Sequence, residues 1–295
     1  MPRCEVCFRH CEIQEGGIGF CGARTCIDGV VTAQNYGRVT GFALDPIEKK
    51  PLARFFPGSK ILSVGSYGCN LRCPFCQNSD ISWSDLALSY SKKDEEILDR
   101  LGVEFITPED LADIAEEYAP AGNLGVAFTY NEPMIGYEFV RDTAKQVKER
   151  GMKNVLVSNG TAEVKILEEI LPYIDAMNID LKGFTDEYYS DVLGGSRKMV
   201  MEFIERAVKD AHVELTTLII PGENDSEDEM RELTSWVSGL KDGQGNVIGK
   251  SIPLHISRFF PRFHMTDRGA TDVKKVYRLA EVAREKLDYV YTGNC

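Results

Sequence analysis

The chain has few basic residues and no long apolar run. Its 295 residues include 34 lysines and arginines against 46 acidic residues, so the formal net charge is -12 at pH 7. Nucleic-acid phosphates are bound by clustered basic side chains, and this balance therefore excludes an extended nucleic-acid surface. No apolar stretch reaches the length of a membrane span, and the first ten residues carry charges without an apolar core. We therefore expect neither a membrane protein nor a signal peptide, but a protein of the cytoplasm.

Cysteine, by contrast, is well represented and unevenly placed. Nine cysteines are present, and only Cys295 lies outside the first 76 residues. In a reducing compartment, cysteines gathered in this way indicate metal ligation before disulfides. For Cys295, the last residue, we expect a free terminal thiol.

Three cysteines, Cys69, Cys73 and Cys76, have the spacing C-x3-C-x2-C directly after an apolar segment at 61–65 that predicts a buried strand. A loop of this kind can hold a four-iron cubane and leave one iron without a protein ligand. An open coordination position distinguishes a catalytic metal site from a closed structural one. A zinc site usually takes four ligands, commonly in paired C-x2-C units, so the asymmetric set of three favours a cluster.

The rest of the chain alternates between apolar strand and amphipathic helix, which predicts an α/β fold with a parallel sheet covered by helices. The predicted strands are 61–66, 125–129, 154–158, 176–180, 213–220 and 252–256. The predicted helices are 108–118, 135–150, 162–171, 197–211, 225–240 and 272–287, with a short charged helix at 92–100. We expect a Cys-rich N-terminal segment at 1–55 and a partial barrel of six βα units at 56–295.

Polar residues follow several predicted strands, where parallel barrels place their catalytic groups. Glu132 follows the second strand, Ser158 and Asn159 the third, and Asp180 and Lys182 the fourth. Each of these residues could instead have a purely structural role. Glu132 could cap a helix, Ser158 and Asn159 could form a turn, and Asp180 and Lys182 could form an ion pair.

These motifs resemble the radical S-adenosylmethionine (SAM) superfamily, whose cluster loop has the same cysteine spacing. Glu132 and Pro133 are in register with its Gly-Gly-Glu-Pro motif, although Tyr130 and Asn131 replace the glycines. The resemblance implies a partial (β/α)6 TIM-like barrel, a 4Fe-4S cluster on Cys69, Cys73 and Cys76, and SAM bound at the open iron. It also implies reductive cleavage of SAM to a 5'-deoxyadenosyl radical that abstracts hydrogen.

Within the superfamily the chain resembles the pyruvate formate-lyase activating enzymes, in Asp180-Leu-Lys182, in the Pro-Gly-x-x-Asp loop at 221–225 and in Pro253-Leu-His255. The segment at 45–52 resembles the radical enzyme of the AmmeMemoRadiSam system in particular. This resemblance implies cofactor contacts for the following residues: Phe75, Asn78, Glu132, Ser158, Asn159, Asp180, Lys182 and His255. Whether the monovalent-cation site of the activating enzymes is present stays open, because Val157 stands where they carry a second aspartate.

A second cysteine set precedes the predicted barrel. Cys4, Cys7, Cys11 and Cys21 lie within about twenty residues, and Cys26 is a fifth thiol nearby. Four thiolates suit a closed tetrahedral zinc site, and an auxiliary iron–sulfur cluster is the alternative.

The function expected from these features is that of a radical SAM oxidoreductase. It would draw electrons from an external flavodoxin- or ferredoxin-type donor and act on a polypeptide or another bulky molecule. Activation of a glycyl-radical enzyme and radical modification of a small molecule or another polypeptide both remain open. A pure electron-transfer protein is a more remote alternative, because it has no use for an open iron or for charged groups at strand ends.

Overall fold

A computed structural model of the chain describes residues 1–84, 88, 98 and 102–295, and twelve strands are found in this part of the chain. In chain order they are β1 (Arg24–Ile27), β2 (Val30–Ala33), β3 (Arg38–Val39), β4 (Gly41–Pro46), β5 (Lys60–Gly65), β6 (Glu104–Phe105), β7 (Asn123–Phe128), β8 (Lys153–Ser158), β9 (Ala176–Asp180), β10 (His212–Ile219), β11 (Leu254–Arg258) and β12 (Val290–Gly293). Eight of them form one sheet in the order β12-β11-β10-β9-β8-β7-β5-β4.

The six strands predicted from the sequence form the parallel centre of this sheet, so the α/β partial barrel is confirmed. Two further strands extend it: β4 pairs antiparallel with β5, and β12 pairs parallel with β11. The sequence does not predict either one, because β4 is largely exposed and β12 has only four residues. The strands β4 and β12 are the two edges of the sheet, and no strand of the described chain joins them.

Helices lie between the strands as predicted, with shorter ends. Their bounds are α1 (Ser79–Ser82), α2 (Pro108–Glu117), α3 (Tyr137–Glu149), α4 (Val164–Ile170), α5 (Arg197–Ala207), α6 (Glu227–Ser238) and α7 (Val273–Arg284). A capping box at Thr107 and Asp110 starts α2, and serine side chains cap α5 and α6. The buried faces of these helices share one core with the outward-facing residues of the strands.

The floor of the barrel is filled by the chain between β4 and β5. Ile47, Leu52 and Phe55 form one cluster with inward-facing strand residues, including Ala127 and Val155. The sequence analysis assigns residues up to 55 to the N-terminal segment, but the structure places β4 in the sheet and the following residues in the barrel. Residues 47–55 show no helical or strand periodicity in their apolar positions, because they fill the inside of the barrel as an irregular segment.

The first forty residues pack on the outside of the barrel. They contain the β1–β2 hairpin and several isolated bridges, one of which joins Cys7 to Ala162. The Arg24 guanidinium forms an ion pair of 2.7 Å with Glu138 of α3. The helix predicted at 92–100 lies outside the described residues, Leu98 excepted. Among the described helices, none combines the length and apolar character needed to span a membrane.

Candidate functional site

The carboxyl ends of the central strands lie together at one edge of the sheet. Val64 of β5 is in register with Phe128 of β7, and Phe128 is in register with Leu156 of β8. Ser158 of β8 pairs in turn with Ile179 of β9. The loops that follow these strands therefore meet, at the edge where parallel barrels carry their catalytic groups.

The cluster loop, residues 66–78, leaves β5 at this edge and carries Cys69, Cys73 and Cys76. The sulfur of Cys69 accepts a hydrogen bond from the backbone N–H of Leu71 at 3.4 Å, and the Asn159 side-chain amide donates to it at 3.7 Å. The backbone N–H of Cys76 donates to the carbonyl of Cys73 at 3.2 Å. The two donors at the Cys69 sulfur stabilise its thiolate form, whereas the Cys76 N–H supports the turn of the loop.

Two thiols of the cluster loop, those of Cys69 and Cys73, are costly to ionise without a cation. Burial raises the pKa of Cys73 to about 11 and that of Cys69 well above its usual value, and the Glu132 carboxylate adds to the rise at Cys69. The Lys182 ammonium acts in the opposite direction on Cys73. A metal ligand must be a thiolate, so bound metal ions would supply the positive charge that this buried loop needs. The donor set therefore fits an iron–sulfur cluster.

Glu132 is buried where β7 ends, with 3% of its surface exposed. Its carboxylate accepts hydrogen bonds from the Ser158 hydroxyl at 2.8 Å, from the Asn159 N–H at 2.7 Å and from the Met134 N–H at 3.0 Å. Burial nevertheless raises its pKa to about 7. Glu132 thus caps the short 3-10 turn Pro133–Gly136, and it also joins the ends of β7 and β8.

Asp180 and Lys182 form an ion pair after β9, with 2.7 Å between Oδ2 and Nζ. Burial opposes the charge of Lys182, but the Asp180 carboxylate and the Cys73 thiol raise its pKa well above the usual value. The backbone N–H of Lys182 donates to the Tyr189 hydroxyl at 3.0 Å. The ion pair therefore lies beside the cluster loop.

Two predicted contacts from the cluster loop itself have different surroundings. The Asn78 amide donates to the carbonyl of Tyr130 at 2.7 Å, so it reaches the end of β7. Phe75 is buried and packs edge-on against Phe259, with 6.5 Å between ring centroids. Tyr130 has φ of +73°, in the left-handed region that glycine prefers. This conformation explains why the Gly-Gly-Glu-Pro motif of the superfamily has a glycine at the position of Tyr130.

His255 lies farther from the other predicted residues. In the sheet it is in register with Thr216, which is in register with Asp180, so two strand spacings separate it from Asp180. Its Nε2 lies 2.6 Å from Oε2 of Glu214, and its ring stacks on Tyr291 at 5.2 Å. The partner that the structure gives His255 is therefore an inward-facing carboxylate.

Glu214 is a buried site residue that the sequence analysis does not identify. Its carboxylate contacts His212 and His255 and accepts hydrogen bonds from the backbone N–H groups of Ala53 and Arg54. Burial opposes its ionisation, but these donors lower its pKa to about 2. The available signal was the alternation of polar residues along β10, which places them on one face of the strand.

The four N-terminal cysteines converge outside the barrel. One cavity is lined by all of them: Cys4, Cys7, Cys11 and Cys21. Burial raises the pKa of Cys21 to about 12 and also raises that of Cys7. Cys26 is oriented differently, because its thiol donates to a carboxylate oxygen of Glu15 at 3.6 Å. We name the four cavity-lining cysteines the N-terminal thiol set.

The two cysteine sets can be compared with the geometry that one metal ion requires. Within the part of the chain that the structure describes, no group of three or more His, Cys, Asp or Glu side chains is arranged to hold one metal ion. Four sulfurs bound to one zinc at about 2.3 Å would lie about 3.8 Å apart in a tetrahedron. In a cubane each cysteine ligates a different iron, so the sulfurs stand farther apart.

Comparisons with known proteins agree with this geometry. Residues 63–234 match the family described as the radical SAM superfamily. An uncharacterized protein of Methanocaldococcus jannaschii, MJ0808, is 39% identical over 294 residues, which cover 99% of this chain and 81% of that protein. The pyruvate formate-lyase 1-activating enzyme of Escherichia coli is 28% identical over 65% of this chain and 72% of its own length.

Among solved structures, Streptococcus suis SuiB bound to S-adenosylmethionine has a similar fold. The TM-score is 0.56 at 14% sequence identity, over 78% of this chain and 48% of SuiB. This likeness concerns the fold alone. The match to one family model over more than half of the chain shows that the chain belongs to the radical SAM superfamily.

Proposed function

We propose that this protein cleaves SAM reductively at a 4Fe-4S cluster held by Cys69, Cys73 and Cys76, and that it abstracts hydrogen from a polypeptide or another bulky substrate. Membership of the superfamily implies a 4Fe-4S cluster and SAM as cofactors. The observation that carries the proposal is the meeting of three thiols with Glu132 and the Asp180–Lys182 ion pair at one sheet edge. Of these thiols, Cys73 is buried and Cys69 and Cys76 are partly buried.

When bound, the cluster and SAM supply a 5'-deoxyadenosyl radical as the hydrogen-abstracting group. The role of the protein is to bind, orient and exclude water. Cys69, Cys73 and Cys76 would each hold one iron of the cluster, and the amide donors of Leu71 and Asn159 at Cys69 would stabilise its negative charge. A set of three leaves one iron for a ligand that the chain does not supply.

Glu132 and its neighbours are proposed to bind the amino-acid part of SAM. An ammonium group needs acceptors, and a carboxylate provides the strongest kind. Glu132 is held rigidly by Ser158 and Asn159, which fixes its position relative to the cluster loop. Asp180 and Lys182 supply one acceptor and one donor of opposite charge at the end of β9. Phe75, Asn78 and His255 are proposed as further cofactor contacts.

The proposal of a bulky substrate is supported by the open sheet. Its edges β4 and β12 are not joined by a strand of the described chain, so the barrel has a lateral gap. The barrel floor is filled by residues 47–55, which leaves the gap and the catalytic edge for substrate entry. A target C–H must be held in near contact with the radical, so a substrate that itself fills the gap is favoured. The E. coli relative is named as an enzyme that activates another protein, which supports a polypeptide.

The test uses anaerobically reconstituted protein, SAM without deuterium, and an external flavodoxin- or ferredoxin-type reductant. Fractionated lysate from cells grown with deuterated amino acids is added, and 5'-deoxyadenosine is analysed by mass spectrometry. Deuterium in 5'-deoxyadenosine only with polypeptide fractions supports the proposal. Transfer only from fractions below peptide size would indicate the alternative, a small-molecule enzyme. Absence of SAM cleavage under all conditions would contradict the radical chemistry and favour an electron-transfer protein.

A further inference from the structure

The N-terminal thiol set is in direct backbone contact with the cluster loop. The N–H of Cys69 donates to the carbonyl of Cys21 at 3.1 Å, so one hydrogen bond joins a cysteine of each set. Gly68 makes this approach possible: its φ is +91°, and a Cβ there would lie 2.5 Å from the Cys21 carbonyl oxygen. The backbone conformation of the cluster loop at Gly68 therefore holds the two cysteine sets next to each other.

A second connection runs through side-chain amides. The Asn70 amide donates to the Thr161 carbonyl at 3.0 Å, and its Oδ1 accepts from the Asn159 amide at 3.0 Å. The same Asn159 amide donates to the Cys69 sulfur at 3.7 Å. Thr161 precedes Ala162, which forms a backbone bridge with Cys7, so these amides connect the surroundings of Cys7 with Cys69.

Two cations without carboxylate partners lie between the sets. The guanidinium groups of Arg9 and Arg72 stack on the ring of Phe20, at 3.3 and 3.8 Å from its centroid. Both donate to backbone carbonyls, including those of Asn70 and Cys69. Within the described residues, neither forms a salt bridge. Partly buried like charges are costly unless anions compensate them, and metal–thiolate centres are such anions.

We propose that the N-terminal thiol set holds a second iron–sulfur cluster, of the 4Fe-4S type, which passes electrons to the catalytic cluster. Four thiols close the coordination of a cubane, so this cluster leaves no position for a substrate. Zinc also suits four thiols, but it is not redox-active, whereas the direct contacts between the two sets favour a metal centre that can pass electrons to the cluster loop.

The relay part of the proposal rests on the proposed function. In each transfer the second cluster is oxidised by one electron and the catalytic cluster is reduced by one electron. A flavodoxin- or ferredoxin-type protein re-reduces the second cluster, and no proton has to move. The partly exposed Cys11 and the Phe20 ring, 38% exposed, give such a donor access to this side of the molecule.

Metal analysis tests the site separately from catalysis. Wild-type protein reconstituted with iron and sulfide should contain about eight irons per chain, and the Cys69→Ala, Cys73→Ala, Cys76→Ala variant about four. The remaining iron should show the Mössbauer signature of a cubane and an EPR signal unaffected by SAM. Cys26→Ala is the matched control, because its thiol pairs with Glu15, and it should keep the full iron content. Zinc, or a folded triple variant without metal, would overturn the proposal.

Two reductants test the relay. In one variant, alanine replaces all four cysteines of the N-terminal thiol set, Cys4, Cys7, Cys11 and Cys21. Its rate of SAM cleavage with the protein donor should fall at least tenfold. With titanium(III) citrate as the reductant, it should keep most of the wild-type rate. Unchanged cleavage with the protein donor, or equal loss with both reductants at wild-type circular dichroism, would contradict the relay. If this variant does not fold, Cys11→Ser replaces it. The Cys11→Ser substitution should shift the reduction potential of the cluster that does not respond to SAM and leave that of the catalytic cluster unchanged. If neither reduction potential shifts, the proposal is overturned.

Discussion

The two cysteine sets of this protein differ in number, support and neighbours. The cluster loop offers three thiols at the edge of a packed parallel sheet, with Glu132 and the Asp180–Lys182 pair beside them. The N-terminal thiol set offers four thiols in a segment with only short strands, and its cavity is lined by apolar residues and two arginines. The difference teaches that ligand count and ionisable neighbours, rather than cysteine content, distinguish a site able to bind a substrate from a closed one.

The largest effect is expected from removing the three thiols of the cluster loop. The Cys69→Ala, Cys73→Ala, Cys76→Ala variant should release no detectable 5'-deoxyadenosine with dithionite and SAM, because every thiolate ligand of the open cluster is lost. The N-terminal thiol set should still bind metal, as elemental analysis would detect. Undiminished SAM cleavage would show that the two sets have been assigned the wrong roles.

Gly68→Ala tests the contact between the sets. The substitution places a Cβ 2.5 Å from the Cys21 carbonyl oxygen and forces a non-glycine residue to φ of +91°, so unfolding free energy should fall by roughly 2–4 kcal/mol. Gly58→Ala is the control: its φ is +81°, but no atom lies within 4 Å of its Cβ. The control should cost only about 1–2 kcal/mol in chemical denaturation. Equal losses would mean that the two sets are not held tightly together.

Glu132→Gln and Asp180→Asn should weaken SAM binding and leave both metal centres in place. Loss of a charge-assisted hydrogen bond costs roughly 1.5–3 kcal/mol, or about one to two decades of affinity. Binding titration would measure the change, and the visible absorbance would report the clusters. Asp186→Asn, an exposed carboxylate paired with Arg197, should not change the affinity. Normal SAM binding by both variants would leave Glu132 and Asp180 with structural roles only.

A smaller effect is expected from pH at Glu214, which contacts neither set. Its pKa in the folded protein, about 2, lies below the usual 4.5, so its stabilising contribution is complete above pH 4.5 and is lost as the pH falls toward 2. Wild-type protein should therefore lose on the order of 2 kcal/mol more stability over this interval than Glu214→Gln. Denaturant unfolding at several pH values measures this difference in stability. If the unfolding free energies of the two proteins change in parallel with pH, the lowered pKa of Glu214 is contradicted.

Much of the fold follows from local patterns along the chain. Strands such as β9 and helices such as α5 are predicted because their apolar residues recur with the period of the element and capping residues mark the ends. Strand order in the centre follows because consecutive βα units tend to lie side by side. The edge strands β4 and β12 escape this reasoning, since their residues are largely exposed or too few to show a period.

The sequence by itself predicted two cysteine sets as metal ligands and identified the strand ends that carry charged groups, because ligand types and spacings are local properties. Only the tertiary structure decided that Cys21 touches Cys69, that Arg9 and Arg72 lie between the sets, and that Glu214 binds His255. These contacts join residues far apart in the chain. They depend on how elements pack, and no pattern of nearby residues specifies that arrangement.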